Sequence, residues 1–322
     1  MEPVTTTKGI GSAVKIGVNL VKAVGPFFIS QFDYAKFKYL DFKTKQAQTA
    51  GYAEYFLAEA RSLVDLKTEQ IRDSLNKTGL DRLKAEENVA LIQKEINRLL
   101  VYSKVPAHVR YLEAEKDQDS STSTEENISI NDTWLDRFND LASKLNEDWR
   151  QDLLAKSFAV EADKPGTIDL ETLFTIARLD QKSFYFFDAI LSNSLKLYEV
   201  YFLPIEANTF TLKIDVHGTE HDIGNILYQL QHTGLLIHGD SLGANLKAGS
   251  LTQFRYHDDV LAAIPPTDCS FPGITTTRAG SALAALRNTT PTEIGMTIFN
   301  SFEAKLKVWN SLHKRYSLKE LA

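Results

Sequence analysis

Five histidines, His217, His221, His232, His238 and His257, crowd one stretch of the chain. Neutral imidazoles joined by a carboxylate make a zinc site, and Asp222 and Asp240 lie close in sequence. His217 and His221 are four apart, which suits one helical face, although Gly218 between them weakens such a helix. No His-Glu-x-x-His pattern is present. A metal-dependent enzyme is therefore the weaker alternative, and no metal ligand is assigned. Gly239-Asp-Ser-Leu-Gly243 sets a serine between glycines, but it lacks the strand, helix and downstream acid and histidine of a nucleophile elbow. Gly9-x-Gly11 has no preceding strand and no third glycine at the dinucleotide spacing. The chain is expected to be no enzyme, with no catalytic residue and no cofactor.

The strongest chemical signal is amphipathic. Between residues 8 and 30 the polar side chains fall at Lys8, Ser12, Lys15, Asn19 and Lys22, one narrow stripe of a helix. The remainder is apolar or glycine, and so broad an apolar face must enter a core, a partner or a lipid surface. Ile10, Val14, Lys15, Val18, Val21, Lys22, Phe27 and Phe28 are the expected lipid- or partner-binding residues. Lys15 and Lys22 would each cost roughly 2.5–3.5 kcal/mol near the centre of a membrane span. A helix lying in the membrane plane, or bound to a partner, is expected instead of a spanning one. Residues 1–45 carry seven lysines against Glu2, Asp33 and Asp41, a bias that suits anionic lipid.

The net charge of −6 argues against nucleic acid as the main partner, because phosphates need a basic surface. The single cysteine, Cys269, leaves no disulfide framework and fits a reducing cytoplasm. The first residues lack the pattern of a secretory signal. The expected location is the cytoplasm, with peripheral membrane association.

These residues are positioned by a chain expected to be mainly α. Residues 1–112 read as the N-terminal amphipathic helix and a long helical hairpin turning at Gly79, with an aromatic stripe from Phe32 to Phe56 that reads as packing. Residues 113–131 combine six acids with a Ser/Thr tract and read as a disordered linker. Residues 132–200 read as a helical core, with Trp134, Phe138, Leu141 and Leu145 on one face and Asp169 as a cap. Residues 201–322 read as a small winged-helix-like α+β unit closed by a helix over 291–316. Between Leu212 and Arg287 its acids outnumber its bases, so a protein-interaction role is expected of it before DNA binding.

Trp149-Arg-Gln-Asp-Leu153-Leu154-Ala155, Lys164-Pro165-Gly166, and Leu170, Leu173 and Leu179-Asp180 resemble the helical core of uncharacterised bacterial proteins related to the abortive-infection alpha type. Thr233-Gly234-Leu235-Leu236 and Thr277-Arg278-Ala279-Gly280 are similar to later Gly-Leu and Thr-x-x-Gly positions of that family. Ile168-Asp169 and Glu171 stand where it usually has a serine and an arginine. The resemblance implies a role in phage defence and no catalytic residues. The expectation is a non-enzymatic defence protein that meets a membrane or lipid vesicle and a protein partner encoded nearby. The alternative is a soluble homo-oligomeric scaffold with the first helix as its interface.

Overall fold

A computed structural model of the chain describes residues 19, 23, 52–76, 80–116, 130–206, 208–237, 243–287 and 289–318. They fall into two units, Met1–Ala177 and Arg178–Ala322.

In the first unit α1 (Tyr52–Leu75) and α2 (Leu80–Lys116) lie along one another. Lys67 Nζ pairs with Glu95, while Asp73 and Ser74 share a cleft with Asn88, so the helices run antiparallel. The middle of α2 packs on α3 (Asp132–Lys144) and α4 (Asp148–Asp163). Asn131 caps α3, its side-chain oxygen accepting from Thr133 N at 2.8 Å and Trp134 N at 3.4 Å. Such a cap satisfies donors that have no partner inside the helix. Tyr102, Trp134, Phe138 and Phe158 form the aromatic centre, with Trp134 stacked on Phe138 at 5.2 Å and Phe158 edge-on to Tyr102 at 5.4 Å. α5 (Leu170–Arg178) follows, its start capped by Asp169, which accepts from Thr172 N at 2.8 Å.

The second unit is built on a sheet. Its elements in order are α6 (Gln181–Ser192), β1 (Leu195–Leu197), β2 (Val200–Pro204), a 3-10 turn (Thr209–Thr211), β3 (Lys213–Val216), β4 (Thr219–Asp222), α7 (Ile223–Leu230), β5 (Leu236–Ile237), β6 (Gly243–Leu246), β7 (Thr252–Tyr256), β8 (Asp259–Ala263), β9 (Cys269–Thr276), α8 (Arg278–Ala285), α9 (Glu293–Val308) and β10 (Leu312–Ser317). Eight strands make one antiparallel sheet in the order β10-β8-β7-β1-β2-β9-β5, with β6 also paired to β9. β3 and β4 form a separate hairpin. Its turn holds His217 at φ 53° and Gly218 at φ 81°, the two left-handed positions a type I′ turn requires.

One face of the sheet is the core. Leu195, Leu197, Phe202, Phe254 and Leu261 meet Phe299, Phe302 and Leu306 of α9, with Phe254 and Phe302 edge-to-face at 4.7 Å. Each such buried ring or leucine contributes roughly 1.5–3 kcal/mol. On the other face, α8 packs over β2 and β9.

This sheet overturns the expectation of a mainly α chain with a small winged-helix-like unit: the fold is α+β. The helical core expected over 132–200 stops early, at Ser192 before β1, and the closing helix ends at Val308, after which Asn310 at φ 49° turns the chain into β10. The alternating run from Thr209 to Val216 begins as a 3-10 turn, so only Lys213–Val216 is extended.

Candidate functional site

The residues expected to bind lipid or partner, Ile10, Val14, Lys15, Val18, Val21, Lys22, Phe27 and Phe28, lie outside the described residues. So do residues 117–129 of the acidic segment, the part of the aromatic stripe before Tyr52, and His238 to Leu242 with the serine between glycines. Two positions inside the N-terminal segment are described. Asn19 and Ala23 are helical and buried, each 1% exposed. The Asn19 side-chain oxygen accepts a hydrogen bond from Ile130 N at 2.9 Å. Ile130 precedes the Asn131 cap, so its buried N–H lies outside the α3 ladder and needs an acceptor from elsewhere. Asn19 is a member of the polar stripe, and here it serves an internal donor across 111 residues. No pattern in the sequence marks that partner.

The resemblance motifs serve structure. In the Lys164-Pro165-Gly166 break, Gly166 takes φ 89°. The Glu161 carboxylate spans the break, accepting from Gly166 N at 2.7 Å and Ile168 N at 2.8 Å. Burial pushes this carboxyl above its usual range, although the backbone donors oppose the shift. Ile168 O in turn accepts from Trp134 Nε1 at 2.7 Å, tying the break to the aromatic centre. In the second unit the Gly-Leu and Thr-x-x-Gly positions meet. Thr277 N donates to Leu235 O at 2.9 Å, and Thr277 Oγ1 donates to Gly234 O at 2.7 Å. Thr277 Oγ1 also caps α8 by accepting from Gly280 N at 3.0 Å. A Cβ on Gly280 would stand 2.1 Å from Leu235 O, so only glycine admits this approach.

The described histidines of this stretch do not converge on a metal site. His217 packs at a tilt on Tyr185 with ring centroids 3.9 Å apart, and His221 meets Phe186 edge-on at 4.9 Å. His257 packs on Tyr256, where burial lowers its pKa. Among the described residues no group of three His, Cys, Asp or Glu side chains is placed to hold a metal. A cleft of about 450 Å³ opens between α1 and α2, with Asp73, Ser74, Asn88 and Leu91 among its lining residues. It is walled by these two helices, and its Glu95 is engaged by Lys67. No helix among the described residues is long and apolar enough to cross a membrane.

No curated protein and no solved structure matches the chain. A family model described as a protein of unknown function (DUF2806) matches residues 112–293, from the end of α2 to the start of α9. That span is more than half of the chain and holds both the Glu161 staple and the Thr277–Leu235 junction. The chain belongs to the DUF2806 family.

Proposed function

We propose that this protein is a non-enzymatic component of bacterial phage defence that docks on an anionic lipid surface through its N-terminal segment and recruits a protein partner. The observation that carries the docking is the burial of Asn19 and Ala23. In a helical register Lys15 and Lys22 fall near Asn19, whereas Ile10, Val14 and Val21 fall about 180° away. If the side carrying Asn19 packs inward, the broad apolar side needs a cover that the stripe cannot supply, and Lys36, Lys38, Lys43 and Lys45 further along favour one with negative charge. The defence role rests on the resemblance at residues 149–180, 233–236 and 277–280.

Flotation of the full chain with vesicles of mixed neutral and anionic lipid tests the docking. Wild type is expected to float and Val21→Glu to remain at the bottom. Equal flotation of both, or of neither, overturns it. Light scattering of the same pair separates the homo-oligomeric scaffold: loss of assembly in Val21→Glu without any lipid binding assigns the apolar side to a second copy. Phage plating on cells carrying the gene with its neighbours tests the defence role, which an unchanged plating efficiency refutes.

A further inference from the structure

The sheet face opposite α9 carries a row of side chains in cross-strand register. Tyr201 of β2 is opposite Lys196 of β1, Lys196 opposite Arg255 of β7, Arg255 opposite Val260 of β8, and Val260 opposite Tyr316 of β10. Directly opposed residues of antiparallel strands point to the same face. At about 4.8 Å per strand the row from Tyr201 to Tyr316 spans roughly 19 Å. A second row beside it runs Gln253, Ala262, Lys314. α8 covers the β2–β9 end of this face, and Val260 and Ala262 of β8 are buried within the rows, but the longer Lys196, Gln253, Arg255 and Lys314 are exposed.

The charges here are of one sign. Lys196, Arg255 and Lys314 form no ion pair among the described residues, and the nearby acids Glu199 and Asp258 sit in turns at opposite ends of the strands. Arg255 is braced by donation from Nε to His257 O at 2.6 Å, and Lys314 Nζ lies 5.7 Å from the centre of the Tyr316 ring. Arg315, by contrast, points to the α9 face and pairs with Glu303. Cations on an edge strand such as β10 have a simpler role in blocking sheet-to-sheet pairing. That role does not account for Lys196 and Arg255, which sit on interior strands.

We propose that this face binds single-stranded nucleic acid. Phosphates complement the three cations, and the Tyr316 ring beside Lys314 offers stacking to a base, which a carboxylate-rich peptide could not use. A broad sheet face cannot enter the major groove of a duplex, which admits a helix or a two-stranded ribbon. Single strands, with splayed bases, fit it. The overall charge of −6 does not describe this strip, whose nearest acids, Glu199 and Asp258, sit in the turns at its ends. The site is independent of lipid docking by the N-terminal segment.

Fluorescence anisotropy of a labelled twelve-nucleotide oligouridine with the full chain tests the proposal. Saturable binding is expected. Three neutralised phosphates predict a slope of about −2 in log affinity against log salt, roughly a twentyfold loss between 50 and 200 mM. Lys196→Glu combined with Arg255→Glu, both at exposed positions, is expected to weaken binding at least tenfold with an unchanged circular dichroism spectrum. Undiminished binding by that variant would assign the contact to the lysines of residues 8–45 and overturn the proposal. Absence of binding by wild type overturns it as well. So does equal displacement by duplex DNA, polyglutamate or anionic vesicles, which would mark a general anion surface.

Discussion

Gly280→Ala sets two effects against each other. Gly280 lies within α8, where alanine is worth about 1 kcal/mol more than glycine on helix propensity alone. Yet the added methyl would stand 2.1 Å from Leu235 O and 3.0 Å from its carbonyl carbon, both backbone atoms that cannot rotate aside. Relieving this overlap needs α8 to move off the Gly234-Leu235 turn. Overpacking of that kind costs roughly 1–3 kcal/mol. The movement also stretches the two Thr277 bonds, at 2.9 and 2.7 Å, each worth about 0.5–1.5 kcal/mol. The net expectation is a loss of about 2–4 kcal/mol despite the better helix former. Hydrogen exchange of peptides covering β5 and β9, followed across a urea series, reads the second unit separately. Ala282→Gly on the same helix is the control, losing about 1 kcal/mol through propensity alone. Unchanged or raised protection in Gly280→Ala would refute the reasoning, because α8 would then not be held at Leu235.

Glu161→Ala removes the acceptor of two backbone donors, one of them at the buried Ile168. At about 1–3 kcal/mol per stranded group, a loss of roughly 2–4 kcal/mol is expected in the urea unfolding of the first unit, with Glu161→Gln in between. A loss below about 1 kcal/mol would show that solvent reaches both donors. Asp152 is held below the usual carboxylate range chiefly by its hydrogen bond with His108, at 3.0 Å. Its contribution is present above the unfolded value near 4 and is lost as pH falls through the lower folded value. The midpoint of thermal unfolding should therefore fall less steeply below pH 4 in Asp152→Asn than in wild type, and parallel curves would contradict this.

What could be read from the chain depended on how local its cause was. The α5 helix announced itself through Asp169, because a cap and its donors lie three residues apart. Trp134, Phe138, Leu141 and Leu145 were expected on one face and are buried. The extent of the sheet was missed for the opposite reason. β1 has three residues and follows an amphipathic helix closely, so its pattern merges with the helical one. β10 likewise continues the apolar spacing of α9, and the break at Asn310 is a non-glycine residue in the left-handed region, which a pattern does not flag. β9 is the longest strand, yet Pro272 and Gly273 within it read as a turn. Gly273 is there because a Cβ would stand 2.0 Å from the Phe202 ring. Neither the Asn19–Ile130 bond nor the basic row was visible, since each joins residues that only the fold brings together.

The order of strands in the second unit has a consequence for its birth on the ribosome. β1 and β2 form a hairpin at once, but their outer partners, β7 and β9, are made some fifty to seventy residues later. Closing such loops costs entropy before any pairing repays it. Until β9 has emerged, β2 presents a bare edge carrying Phe202 and Leu203, the kind of strand that pairs with a neighbouring nascent chain. A stall or truncation before Cys269 would leave that edge open, so the translation of this segment is where the chain is most exposed to aggregation.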